Sequence, residues 1–139
     1  HSDSIANFTH YNQPLAHPLG ANFQEILGII RYQPAPKWML DARVIYYEKG
    51  MDSANTNFGG NIFKIYSTRT GEDGFSVGSG LFTSCLNTTL DISYELKYNL
   101  FVDAGFQYRS FKAINSKRSD NINYSLGLRL NLWKRRYDF

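Results

Sequence analysis

Between Lys37 and Tyr47 the chain reads KWMLDARVIYY and separates by parity, with Trp38, Leu40, Ala42, Val44 and Tyr46 opposing Lys37, Met39, Asp41, Arg43, Ile45 and Tyr47. A repeat of two residues, not 3.6, predicts a β-strand with one apolar face. From Asn99 to Arg109 the division recurs, with Leu100, Val102, Ala104, Phe106 and Tyr108 on one side and Asn99, Phe101, Asp103, Gly105, Gln107 and Arg109 on the other. Leu90, Ile92, Tyr94 and Leu96 alternate with Thr89, Asp91, Ser93 and Glu95. The cleanest run sets Ile122, Tyr124, Leu126, Leu128, Leu130 and Leu132 against Asn123, Ser125, Gly127, Arg129 and Asn131. A weaker strand is expected from about Asn22 to Gln33, where Ile26, Gly28, Ile30 and Tyr32 oppose Glu25, Leu27, Ile29, Arg31 and Gln33. Five strands are therefore predicted.

The connections alternate in length. Pro34-Ala35-Pro36 and Lys97-Tyr98-Asn99 are tight, whereas Gly50 to about Phe75 is long and Lys112 to Asn121 is again longer. Short turns at one end and long loops at the other are the habit of transmembrane β-barrels, whose short turns face the periplasm. On that assignment the first and fifth strands both descend, and Phe139 lies in or near the periplasm. Trp38 and Tyr46 bracket one apolar face; at about 3.3 Å per residue and a tilt near 40° they are on the order of 20 Å apart along the membrane normal. Tyr32, Trp38 and Tyr94 are then expected in a periplasmic aromatic girdle, and Tyr46, Tyr108 and Tyr124 in an outer one.

Composition narrows the class without changing it. Tyr and Phe, ten of each, with eleven Gly, favour strands and turns. No stretch approaches the roughly 18 consecutive apolar residues of a membrane-crossing helix. The net charge of +3 is partly gathered in Lys134, Arg135 and Arg136, and no broad basic surface with aromatic platforms points to nucleic acid. Cys85 stands alone, which excludes an intrachain disulfide and a cysteine metal cluster and suits a small residue within a strand. His1 follows no initiator Met or leader, so the chain reads as processed or cut from something longer. The expectation is an all-β, antiparallel transmembrane β-barrel of which this chain supplies about five C-terminal strands. It divides into an outer loop segment at 1–21, strands and loops at 22–134, and a periplasmic tail at 135–139. Five strands cannot close a membrane barrel, which starts at eight, so a second polypeptide or a removed N-terminal portion is expected to complete it.

A soluble β-barrel binding a ligand or glycan alternates in the same way, with its apolar face turned inward. Loop asymmetry, aromatic bracketing and the charged residues of the mixed face favour the membrane. Asp41, Arg43, Asp103 and Arg129 are expected as ion pairs lining a polar lumen. His10 and His17, with Asn12 and Gln13 between them, suit either a metal or sugar site or a packed loop set by Pro14, Pro18 and Gly20. Asn57 to Asn61 lacks the lysine of a phosphate loop and reads as turn chemistry. Tyr11, Asn12, Asn57 and Phe58 are candidate glycan contacts by stacking and hydrogen bonding. No Ser-His-Asp set or carboxylate pair can be selected, and neither catalysis nor a cofactor or metal is expected.

The segment FTHYNQPLAHPLGANF at residues 8 to 23, followed by Arg31-Tyr32-Gln33-Pro34 and by Asn57-Phe58-Gly59-Gly60-Asn61, resembles outer-membrane proteins of Bacteroidota. It is similar to the gliding-motility RemB-like group, itself similar to the capsule-assembly Wzi family of β-barrels, and covers most of the chain as the C-terminal portion of a longer pattern. The resemblance implies a bacterial outer-membrane location and a surface role in motility, secretion or capsular polysaccharide attachment, with surface polysaccharide or secretion components as partners. It assigns no catalytic residue. The terminal Phe139 suits such barrels, although it is out of parity with Leu126 to Leu132 and Lys134-Arg135-Arg136 intervenes.

Overall fold

The computed structural model describes residues 9–11, 13–53, 55–61, 63–69, 71 and 73–131. Asn12, Leu132, Lys134 to Arg136 and the 135–139 segment lie outside them. Two short strands, β1 (Thr9–His10) and β2 (Gln13–Pro14), form a small hairpin. Five long strands follow as an antiparallel meander, β3 (Phe23–Tyr32), β4 (Trp38–Met51), β5 (Leu81–Lys97), β6 (Leu100–Ala113) and β7 (Ser119–Leu130), in the order β3-β4-β5-β6-β7. A 3-10 turn, Tyr66–Thr68, sits in the long connection between β4 and β5.

The protein is thus all-β, and the period-two runs become strands whose register keeps parity across the sheet. Ile30 pairs with Ala42, Ala42 with Leu90, Leu90 with Phe106 and Phe106 with Tyr124. Paired residues share a face, so the apolar set of every strand lies on one side of the whole sheet and the mixed set on the other. The strands outrun their sequence signal. β5 begins at Leu81, eight residues before the clear alternation at Thr89, because Thr83, Cys85 and Asn87 carry no hydrophobic contrast and are held instead by pairing with Lys49, Tyr47 and Ile45. β6 and β7 likewise extend toward each other, so that only 114–118 connects them where a longer loop was expected. The difference in loop length between the two ends rests on 52–80.

At the turn end, Asn99 takes φ 63°, a left-handed conformation that asparagine tolerates. Its amide N–H is 3.3 Å from Glu95 Oε1, beside a register shift between Glu95 and Lys97. At the loop end, Asn22 fastens the long connection at both its roots. The Asn22 amide donates to the carbonyls of Gly50 and Ser79, at 3.2 and 2.8 Å, and its Oδ1 accepts from Gly78 N at 2.8 Å. Gly50 is required by this junction, since a β-carbon there meets the Ser79 carbonyl and the Asn22 amide.

Burial is confined to this loop end. Among the described residues Cys85 is the one buried hydrophobic side chain, with Asn57, Thr83 and Ser110 the buried polar ones. Both faces of the sheet are otherwise open, and Leu126 is 82 % exposed. Burying one Leu or Ile side chain is worth about 1.5–3 kcal/mol, so an apolar face spread over five strands forgoes tens of kcal/mol when left in water. Gly50→Ala is expected to destabilise the protein by about 1–3 kcal/mol through overpacking. A lowered thermal midpoint for loss of β-structure, with strand content unchanged at low temperature, is the measurable result.

Candidate functional site

Three regions carry chemistry: the apolar face, the mixed face, and the loop cluster beyond the end of β3 to β5. On the apolar face, Trp38 stacks on its cross-strand partner Tyr94 with ring centroids 4.7 Å apart, and Phe106 lies 5.4 Å from Tyr124. Trp38, Tyr94 and Tyr32 are at the turn end, and Tyr46, Tyr108 and Tyr124 are nearer the loop end. Trp38 and Tyr94 share a row, but Tyr32 and the loop-end tyrosines do not follow the rows. Tyr46 is in the row of Leu86 and Ser110; Tyr108 is two residues closer to the turns, in the row of Val44 and Thr88; Tyr124 is four residues closer, in the row of Ala42 and Leu90. Four residues of descent across the three steps from β4 to β7, at about 3.3 Å per residue and about 4.8 Å per strand, make a slope of about 40°. Tyr32 is displaced in the same sense, two residues above the Trp38–Tyr94 row. A level aromatic belt on strands tilted 35–45° has this stagger.

Beyond the loop-end tyrosines the same face turns polar. Gln24 donates to Glu48, Tyr46 Oη donates to Glu48 at 2.6 Å, and Tyr108 Oη donates to Asp120 at 3.2 Å while accepting from Arg118 at 2.9 Å. Arg118 also donates to Ser110 Oγ at 2.8 Å and to Asp120 at 2.9 Å. The hydrogen bond to Asp120, then that to Tyr108, holds its guanidinium above its ordinary pKa. The apolar band therefore has a finite height, closed by phenol hydroxyls that reach polar partners.

On the mixed face, Arg129 forks onto Asp103, at 2.8 Å through Nε and 3.1 Å through its second nitrogen, with its guanidinium 4.5 Å from the centroid of the Phe101 ring. Asp41 receives Arg43 at 3.6 Å but Arg31 at 2.8 Å, so the shorter bond goes to a residue outside the predicted set. Hairpin register could have found Arg31, since it pairs directly with Asp41. On the loop side of the Asp103–Arg129 pair runs an uncharged amide series, in which Asn123 donates to Gln107 and Gln107 to Asn87, each at 3.5 Å. Gly105 belongs to this wall because a β-carbon there would meet Ser125 Oγ and, at 3.0 Å, Asp91 Oδ1. A groove of about 220 Å³ follows, lined on this face by Thr89, Asp91, Gly105, Gln107, Asn123 and Ser125. Such a wall offers hydrogen bonds to water and polar solutes.

The loop cluster is organised by Asp52, whose carboxylate accepts from the backbone of Phe58, Gly60 and Asn61 at 2.7, 3.3 and 2.7 Å. Lys64 Nζ donates to the carbonyls of Ser53 and Thr56, both at 2.6 Å. Asn57 is buried, its amide donating to Ile65 O and Thr68 Oγ1, and Phe58 meets Phe75 edge-on at 5.6 Å. The structure thus places Asn57 and Phe58 in the packing of the loop, while Tyr11 is 89 % exposed in the β1–β2 hairpin with φ 47°. His17 stacks on Phe23 at 4.5 Å, its Nδ1 accepts from Leu19 N at 3.2 Å, and Nε2 lies 3.2 Å from Glu25. Both ring nitrogens are engaged, the arrangement of a packed loop. Lys49 donates to the Leu19 carbonyl and so draws the N-terminal segment over β4. Between that segment and the loop lies a cleft of about 320 Å³ bordered by Pro18, Lys49, Asp52, Asn61 and Phe63.

No group of three or more metal-ligating side chains occurs among the described residues. No family model, curated protein or solved structure matches the chain. Asp52→Ala removes three hydrogen bonds at once and is expected to speed proteolysis at Lys64 and Arg69 several-fold, leaving the five-stranded sheet intact. Equal cleavage rates in wild type and variant would show that the carboxylate does not organise the loop.

Proposed function

We propose that this chain is the closing part of a bacterial outer-membrane β-barrel, with β3 to β7 crossing the membrane, the apolar face toward lipid and the mixed face toward a polar lumen. The observation that carries the reading is the aromatic stagger. Tyrosines that lie on a slope of about 40° relative to the strand rows become level only when the strands tilt as membrane strands do. The finite apolar band and the polar groups beyond it support the same reading, as does the near absence of buried hydrophobic side chains among the described residues. In this arrangement the tight turns are periplasmic and the 52–80 loop is extracellular. The Asp103–Arg129 and Arg31–Asp41–Arg43 groups stiffen the lumen wall.

The role proposed for the barrel rests on the resemblance of the segment at 8–23 to the RemB-like and Wzi-like proteins of Bacteroidota. It is a non-enzymatic component of a surface assembly, serving motility and secretion or the attachment of capsular polysaccharide. The 52–80 loop and the β1–β2 hairpin, with Tyr11 at its tip, are the parts that face such partners. A soluble glycan-binding barrel, the other reading of the alternation, would turn Trp38 inward, away from any lipid.

That difference is measurable. With Trp133 and any tryptophan outside residues 1–139 replaced by Phe, brominated lipids are expected to quench the emission of Trp38 in vesicles holding the whole protein; unquenched emission would exclude the membrane reading. Leu128→Arg, four residues below Tyr124 and near the middle of the apolar band on β7, is expected to cost about 2–4 kcal/mol, read as loss of heat-modifiable migration on a gel. Ser125→Arg, three residues away on the mixed face, is expected to leave that migration unchanged.

A further inference from the structure

Among the described residues, the two edges of the sheet carry unpaired backbone ladders. In an antiparallel pair, alternate residues direct both N–H and C=O to the same neighbour. Gly50 N donates to Asn22 O and Asn131 N to Asn99 O, each at 2.9 Å. These two bonds set the phase of the outer strands. Even-numbered residues of β3 face β4, so Phe23, Glu25, Leu27, Ile29 and Arg31 direct their backbone groups outward. Odd-numbered residues of β7 face β6, leaving the groups of Ile122, Tyr124, Leu126, Leu128 and Leu130 directed outward. Hydrocarbon does not tolerate such unpaired ladders.

Resting on the barrel reading above, we infer that both edges are closed by an odd number of further strands, at least three, from outside residues 1–139, and not by a second copy of this stretch. Direction decides the parity. β3 and β7 both run from the loop end to the turn end. Strands added antiparallel to β7 must run back toward the loop end, and the strand that reaches β3 must do the same. A series that begins and ends in one direction has an odd number of members, and five plus an odd number is even, as bacterial single-chain barrels are. Eight strands is their minimum, hence at least three more. A second copy fails on the same ground: side by side, its β3 would lie parallel to β7. Two β7 edges joined by a two-fold axis would send the 52–80 loops to opposite sides of the membrane.

The edges also state the chemistry of the strands they receive. On the mixed face β3 presents Leu27 and Ile29, 56 % and 49 % exposed, followed by Arg31, which shares the single carboxylate of Asp41 with Arg43. The strand beside β3 therefore carries small or apolar inward residues opposite Leu27 and Ile29 and a carboxylate at the level of Arg31. The strand beside β7 meets Asn121, Asn123 and Ser125 and is polar inward.

Photo-cross-linking in the membrane of cells that make the protein tests this, with a photoreactive phenylalanine analogue replacing Phe23, Tyr32, Tyr124 or Leu130 in turn. Adducts mapped by mass spectrometry are expected outside residues 1–139. Within the strand beside β7, the site facing Tyr124 comes later in sequence than the site facing Leu130. Within the strand beside β3, the site facing Phe23 comes later than the site facing Tyr32. The reverse order at either edge, adducts joining β7 to β3 or β7 of a second copy, or no adducts in detergent-extracted protein would each overturn the closure. Recovery of the protein in the aqueous phase of a detergent partition would overturn the barrel reading itself, a result distinct from the other three.

Discussion

The backbone ladder between adjacent strands holds this protein to one geometry. Because pairing preserves parity from β3 to β7, a residue's number alone assigns its face: even numbers to the apolar side, odd numbers to the mixed side. A slip of one residue at any of the four interfaces would carry a set of leucines onto the ionic wall and a set of charges into the apolar band. The ion pairs reinforce the register they depend on. Arg31 meets Asp41 and Arg129 meets Asp103 as members of adjacent strands, so each pair forms only in the correct alignment. Exposed pairs of this kind add little to stability, and their value here is in excluding the neighbouring registers.

A sheet with one buried hydrophobic residue has no core in the ordinary sense, and the usual order of causes is reversed. In a soluble domain, side chains collapse first in importance and backbone bonding follows. Here the backbone ladder and cross-strand side-chain contacts hold the sheet, and the hydrophobic contribution comes from whatever medium covers its apolar face. Among the described residues, only those at the loop end are buried, around Cys85, Thr83 and Ser110, where Asn22, Asp52 and Lys64 supply polar bonds to the backbone.

The central parts of all five strands were legible from alternation alone, since Trp38 to Tyr46 and Ile122 to Leu130 leave no competing period. The ends of the strands were not. Thr83 to Asn87 belongs to β5 because β4 offers it a partner, and pairing of that kind is invisible to a local pattern. The charged residues of the mixed face could be named from parity, but their partners required register, which is why Arg31 was missed beside Asp41. Asn57 and Phe58 stood out as amide and aromatic groups suited to a glycan. The same properties suit them to tie a loop together, and composition does not distinguish the two uses. Asp52, which organises that loop, had no signal beyond being one acid among twelve.

Asn22 gathers Gly50, Gly78 and Ser79 at a single point, so the 52–80 excursion leaves and re-enters the sheet through one knot. What lies beyond the knot is mechanically insulated from what lies below it. Such a segment is a cassette: its surface can be exchanged, lengthened or recoded while the strands beneath keep their alignment, because closing a longer loop across fixed ends adds only a logarithmic entropic cost.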